Sequence, residues 1–353
     1  MTHTPTRHNH LLDVIFPIYN SGKFLEPAVA SIAQQTFRGF RCLLCDASTD
    51  GSSSWLKDFV RNDPRFILIS QKKSNLALAL QEGLQACTAP LVARMDADDI
   101  SLPERFSHQI RALQASPDTL ALGTSYRFMN AEGRLGRTVR TPRSSQIPKM
   151  LCDGSPLAHP TVMFRRREVL EVGGYRAGFD LAEDYDLWLR LSCKGRLDNL
   201  PQVLLYYRLH GANSVVTQGF SNRHFTLLAL ASYLCQKTTG IDPITSGADL
   251  ATVMSHLPQD ERTLAQGRVM AACAHFTGDA DEDPEGKQWQ EDLRRLPCTD
   301  TVRSIFATYY MRLAKRYIAS DKRKAAINFY KALQEQPAVV LRMCVKMISQ
   351  YIK

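Results

Sequence analysis

No stretch of this 353-residue chain approaches the roughly 18 consecutive apolar residues of a membrane-spanning helix. The nearest run, Phe225 to Cys235, is too short. The opening, MTHTPTRHNHLL, has no apolar core of signal-peptide length, so no secretory leader is expected there. The nine cysteines are odd in number and irregularly spaced, and no CxxC pair has a second such pair downstream. Neither a disulfide framework nor a cysteine zinc site is supported, and a reducing, cytoplasmic setting is expected. Glycine and proline are scattered rather than periodic, which excludes a collagen-like or low-complexity chain. With 44% apolar and 22% charged residues, the chain can build one large domain, or one domain with a smaller appendage.

A body-wide excess of positive charge is missing too. The formal net charge is +9, yet residues 301–353 alone hold 11 Lys and Arg against 2 Asp and Glu. The first 300 residues therefore balance. That argues against a nucleic-acid-binding body and points to a local task for the tail. Val339, Val340, Leu341, Met343, Val345 and Met347 lie among its cations, a composition able to rest on an anionic leaflet. A soluble helical cap and a dimer contact remain open alternatives, as does the oligomeric state.

What is present is a regular alternation. LLDVIF (11–16) is a short apolar run ending at Pro17, and residues 24–36 read as a helix. A second run ends in Leu43-Leu44-Cys45. Asp46 to Gly51 is a loop of turn formers, after which Ser52 or Ser53 can cap a helix to about Arg61. A third strand is expected over 66–69, a helix over 75–87, and a fourth strand from Leu91 to Met95, ending in Asp96-Ala-Asp98-Asp99; Pro103 then opens another helix. Strands alternating with helices predict βαβ units and a mostly parallel sheet. Ligands of such sheets bind beyond the carboxyl ends of the strands, where Tyr19-Asn20, Asp46 and Asp96 to Asp99 collect. From about 118 to 215 the order is mixed, with short strands near 119–129, 161–164 and 203–207 and a patterned helix from Glu183 to Cys193. Beyond about 220 the pattern is helical, with Gly278 to Gly286 read as a surface linker and basic helices over 302–318 and 321–335.

Several of these residues can carry chemistry. Two carboxylates one residue apart just past a strand, Asp96 and Asp98, suit a divalent cation with open positions for phosphate oxygens. The pattern alone is weak, because DxD also occurs at 184–186, 279–281 and 281–283. Tyr19 can stack on a pyrimidine and Asp46 can accept its ring N–H; equally, Asp46 can close an Asx turn with Ser48. Glu183-Asp184 opens a helix, where acidic residues suit the exposed N–H groups, and a carboxylate there can also act as a general base. His210 follows Tyr206-Tyr207-Arg208-Leu209; a metal role for it needs the carboxylates nearby.

Six segments, in order, resemble the family 2 glycosyltransferases, inverting enzymes of the GT-A fold: residues 13–37, LLCDASTDGS (43–52), LVARMDADDISLPERFSHQI (91–110), HPTVMFRRREVLEVGGY (159–175), AEDYDLWLRL (182–191) and LLYYRLHGANS (204–214). The resemblance covers about residues 11–215. It implies a flexible N-terminus (1–10), a GT-A α/β catalytic domain over 11–219 with a Rossmann-like, mostly parallel sheet, and a mainly α-helical C-terminal region (220–353) with the basic tail 301–353. It implies a hexosyltransferase taking a nucleotide-sugar donor, a UDP-sugar first, and a glycan or lipid-linked saccharide acceptor, with Mn²⁺ or Mg²⁺. By the same resemblance Pro17 and Tyr19 line the base, Asp46 binds the uracil edge, and Asp96 sits near the ribose or donor sugar. Asp98 holds the metal, Asp184 is the general base, and His210 touches the metal or diphosphate. Arg94 is placed in the nucleotide-sugar site, and His159 and Glu183 near the acceptor or donor sugar. The enzyme would be cytoplasmic, with a peripheral contact at the inner membrane face through 301–353.

The chain departs from the family in places. Cys45 stands where the second strand usually ends in a first Asp, and Ala47 replaces a Gly. Lys73 and Asn75 stand where Asn and Gly usually precede the third helix. Three alternatives stay on the table: a catalytically inactive nucleotide-sugar-binding protein, a nucleotidyltransferase, and an interaction module built on the helical tail. Intact Asp98 and Asp184 speak against the first, and the single Gly in Pro17 to Lys23 against the second.

Overall fold

A computed structural model describes residues 10–71, 75–179, 181–210, 222–277, 284–296, 300–317 and 321–340. The chain divides into two compact units, Met1–Pro148 with Ser155–His210, and Lys149–Gly154 with Gly211–Lys353.

The first unit opens with β1 (Leu12–Ile18), α1 (Leu25–Ala33), β2 (Phe40–Asp46), α2 (Ser52–Asn62), β3 (Phe66–Ser70), α3 (Leu76–Ala86) and β4 (Leu91–Arg94). These strands lie side by side in the order β3-β2-β1-β4, all parallel, with Ile18 opposite Asp46 and Ile15 opposite Arg94. The near-continuous apolar runs are those of strands buried on both faces. On one face Leu12, Val14, Phe16 and Ile18 pack with Val29 and Ile32 of α1. On the other, α3 comes close because residue 83 has no side chain; a Cβ there would stand 2.8 Å from Ile15 and 3.1 Å from the Cys45 sulfur. Cys42, Cys45 and Cys87 are buried free thiols of this half.

The chain continues through β5 (Ile100–Ser101), α4 (Arg105–Ala115), β6 (Thr119–Asn130), β7 (Leu135–Val139), α5 (Ile147–Met150), β8 (Met163–Arg165), α6 (Arg166–Glu171), α7 (Glu183–Ser192) and β9 (Arg196–Leu209). The sheet extends β4-β8-β6-β9-β5, with β7 on β6. Here β6 and β9 are parallel, while β8 runs antiparallel to both its neighbours and β5 and β7 to their single ones. The fold is thus α/β, with a sheet that is parallel in its first four strands and mixed beyond.

Local differences from the sequence reading have local causes. The α2 cap is Gly51, at φ 90°, rather than a serine, since glycine takes the left-handed conformation freely. The helix expected to open at Pro103 begins at Arg105. The short strand expected at 203–207 is the end of the fourteen-residue β9. Pro201 disguised it: Thr124 pairs with Leu200 and Ser125 with Val203, so Pro201 and Gln202 bulge out of the ladder.

The second unit is helical: α8 (Asn222–Thr239), α9 (Leu250–Ser255), α10 (Gln259–Thr277), α11 (Pro284–Arg295), α12 (Asp300–Tyr317) and α13 (Lys322–Glu335). Val302, Ile305, Phe306, Tyr309 and Tyr310 of α12 form a core with Ala332 of α13 and Val340. Of the stretch read as a linker, Pro284 to Gly286 begin α11; residues 278–283, with their two DxD patterns, lie outside the described residues. No helix among the described residues is long and apolar enough to cross a membrane.

Candidate active site

β4 delivers the acidic loop. Arg94, its last residue, is buried and ion-pairs with Asp96. Carboxylate oxygens of Asp96, Asp98 and Asp99 all lie within 4.8 Å of one another. Arg208, from β9, also reaches this loop. Its backbone N–H donates to Asp99 Oδ1 at 2.7 Å, and its Nε donates to the Asp98 carbonyl at 2.6 Å. β9 also brings His210, whose Nε2 lies 2.8 Å from Asp98 Oδ2. The condition set for that histidine, carboxylates nearby, is met.

Neighbouring like charges and dehydration both disfavour the ionised form of a carboxyl group. Burial pushes the Asp99 carboxyl well up, and Asp96 and Asp98 push it further. Asp99 Oδ2 is buried without a hydrogen-bond partner. Asp96 is raised as well, by burial and by Asp98 and Asp184, with Arg94 pulling against them. Burial would lower Arg94, but Asp96 beside it holds it above its ordinary value.

Glu183 and Asp184 start α7, in the same electrostatic neighbourhood. Asp184 is half-buried; Oδ2 accepts the Ser155 hydroxyl at 3.3 Å and Oδ1 the Tyr185 N–H at 2.6 Å. Burial raises its pKa. Glu183 is 5% exposed and is pushed up to about 8 by burial and by Asp184, and its Oε2 has no hydrogen-bond partner. Both carboxyls of the adjacent pair are thus shifted upward, and burial favours the neutral form of Glu183. The other half of this DxD is spent on structure: Asp186 is clamped by Arg176 at 2.6 Å and Arg190 at 2.5 Å.

His159 is buried behind the pair. Its Nε2 lies 2.9 Å from the Tyr175 hydroxyl and its Nδ1 3.7 Å from Glu183 Oε1. Burial and Arg94 hold it well below its ordinary pKa, so it is neutral. His159 and Glu183 are both buried, at 8% and 5% exposure.

The remaining expected residues border β1 and β2. Asp46 ends β2, buried, and accepts the Ser48 N–H at 2.9 Å, so the Asx turn forms. Pro17 is partly buried opposite Cys45, and Tyr19 is 54% exposed. Residues 20–24 join this side to the acidic loop. The Asn20 N–H donates to Ser48 Oγ and its Oδ1 accepts the Thr49 N–H. Phe24 then lies 4.8 Å from the His210 ring, tilted by 37°, beneath the Arg208 guanidinium at 4.7 Å. Asp99 and Arg208 stand in the segments 91–110 and 204–214, and Phe24 and Tyr175 in 13–37 and 159–175, without a role read for them; Ser155 stands in none of the six.

Residues 13–174 match the family described as Glycosyl transferase family 2. The O-antigen biosynthesis glycosyltransferase WbnJ of Escherichia coli is 32% identical over 209 residues, 58% of this chain and 82% of that protein. The chain belongs to glycosyl transferase family 2. It is an enzyme of the glycosyltransferase class. This glycosyltransferase is also 34% identical to the amylovoran biosynthesis glycosyltransferase AmsE of Erwinia amylovora, over 56% of this chain and 76% of the relative. A UDP-Gal:alpha-D-GlcNAc-diphosphoundecaprenol beta-1,3-galactosyltransferase of Escherichia coli is 32% identical over 55% and 73%. Among solved structures, S. aureus TarS 1–349 in complex with UDP-GlcNAc superposes with a TM-score of 0.58 at 15% identity, covering 92% of both chains. That likeness shows a shared fold across the GT-A-like sheet and the helical region.

Proposed function

We propose that this family 2 glycosyltransferase moves a sugar with inversion from a nucleotide-sugar, a UDP-sugar first, to a hydroxyl of a glycan or lipid-linked saccharide acceptor. The observation that carries this reading is the meeting of Asp96, Asp98, Asp99 and His210 with Asp184 in one electrostatic neighbourhood. The names of the relatives support envelope polysaccharide synthesis, and that of the galactosyltransferase supports UDP and a lipid diphosphate acceptor.

Asp46 accepts the uracil N–H, with Pro17 and the exposed Tyr19 ring lining the base. Arg94 holds Asp96 in place beside the ribose and donor sugar. The donor set fits Mn²⁺ or Mg²⁺: clustered carboxylates are hard ligands, an imidazole nitrogen suits Mn²⁺, and the unpartnered Asp99 oxygen is the mark of a loop short of positive charge. Asp98 and His210 would hold the ion. Bound there, it supplies Lewis-acid neutralisation of the charge on the departing diphosphate.

Asp184 takes the proton from the acceptor hydroxyl as that oxygen attacks the anomeric carbon opposite the leaving group. Ser155 and the Tyr185 N–H aim the carboxylate. Its raised pKa makes it a stronger base than an exposed aspartate. Glu183, neutral and backed by His159, keeps a second charge from weakening that placement and supports the sugar-facing wall. A domain boundary near 219, a cytoplasmic location and a peripheral membrane contact through 301–353 complete the proposal. Release of nucleoside diphosphate from a panel of nucleotide-sugars, with Asp184→Asn alongside, tests it. Normal turnover by that variant removes the base assignment; full activity in excess chelator removes the metal role.

A further inference from the structure

Helix α13 is two-faced. Ala325, Asn328 and Ala332 are buried, and Ala332 packs into the core built by α12. The opposite stripe, Arg323, Ile327, Tyr330 and Gln334, is exposed. Its spacing of four, three and four residues is that of one helix face. Ile327 is 46% exposed, Phe329 37% and Tyr330 63%, which places three of the eight large exposed apolar side chains of the described residues within four positions. Cations flank them: Lys322, Arg323 and Lys324 are exposed, and Lys331 reaches over the Tyr310 ring at 5.2 Å. No carboxylate occurs from 322 to 334; Asp321, at the edge, caps the helix through the Lys324 N–H.

We infer that this outward face of α13 docks on the anionic headgroup surface of a lipid bilayer. Two features argue for a membrane over a second copy of the chain. Like cationic faces repel when paired, whereas an anionic surface complements Lys322, Arg323, Lys324 and Lys331. A Tyr with an apolar neighbour at the centre and cations on the flanks is the layout of a helix lying in the headgroup plane, the ring at the boundary and the ammonium groups among phosphates. The inference deepens the peripheral contact proposed for 301–353 and rests on it, while leaving the chemistry of the catalytic groups aside.

The test uses the full chain and sedimentation with vesicles of phosphatidylcholine alone or mixed with phosphatidylglycerol. Binding is expected to the mixed vesicles only, and it weakens as salt rises. Replacing Lys322, Arg323 and Lys324 together by Ala lowers vesicle affinity about a hundredfold. Ile327→Ser with Tyr330→Ser lowers it at unchanged charge. Equal binding of the parent and both variants overturns the inference, and so does equal binding to neutral vesicles. Light scattering identifies the rival: variants that turn a dimer into a monomer with no change on vesicles make the face a contact between copies. The α13 variants keep nucleoside diphosphate release with a soluble acceptor, whereas Asp184→Asn keeps vesicle binding, so the two readings fail separately.

Discussion

Asp13 and Asp99 sit at opposite ends of the parallel strands, and both are almost fully buried, at 0% and 1% exposure. At Asp13 burial is outweighed. Arg41 donates twice, at 2.8 and 3.0 Å, the Thr88 and Ala89 N–H groups add 2.6 and 2.9 Å, and His10 lies at 2.7 Å. These partners hold its carboxyl below the ordinary value despite the cost of burial. At Asp99 a single backbone N–H from Arg208 faces two neighbouring carboxylates, and the group is pushed well up. One end of the sheet has matched its buried charge; the other keeps a deficit of positive charge that a ligand can fill. Unmatched carboxylates cost stability and persist where chemistry uses them.

That contrast can be broken at either end. The largest effect is expected at the unmatched end, where Asp184→Asn should slow transfer by about 10²–10⁴ while donor binding, read by calorimetry, persists. Asp98→Ala should lose donor binding and its divalent-ion dependence together in the same titration. At the matched end, Asp13→Ala leaves Arg41 without its carboxylate and should cost about 3–5 kcal/mol in urea unfolding, with the rate per folded molecule unchanged. Tyr19→Ala should raise the donor KM by roughly tenfold through lost stacking, with little change in kcat.

The smallest effect sharpens the comparison by its sign. Glu183 is raised from 4.5 to about 8 in the folded protein, so the stability its proton supports is full below 4.5 and is lost as pH rises through about 8. Glu183→Gln should therefore gain melting temperature relative to the parent between pH 5 and pH 9. Asp13 behaves oppositely: its contribution is present above the ordinary carboxylate value of 3.8 and disappears on acidification below it. Melting curves of the two variants against pH should slope in opposite directions.

Much of this was legible in the sequence where a short segment sets its own geometry. The first four strands were readable because fully buried parallel strands are short apolar runs closed by turn residues, and their polar ends mark the candidate site. The resemblance placed Asp98, Asp184 and His210, and the fold brought His210 to Asp98 across 112 positions of sequence. What stayed hidden depends on contacts distant in the chain. Pro201 broke the pattern of β9, whose register is rescued by a bulge against β6. Phe24 carries no chemical signature, and its place between His210 and the β1 loop comes from packing. Nor did the two DxD patterns at 96 and 184 announce their difference; only the arginines around Asp186 reveal that one of its members is structural.

The three buried thiols give this half of the sheet a built-in clock. Burial pushes Cys45 up to about 12 and raises Cys42 and Cys87 as well, so an alkylating reagent, which attacks the thiolate, finds almost none in the closed fold. Each labelling event mapped to Cys42, Cys45 or Cys87 then records a moment when β2 or the end of α3 has come apart. Alkylation kinetics with and without donor would report how strongly nucleotide-sugar locks the strands from which the site is built.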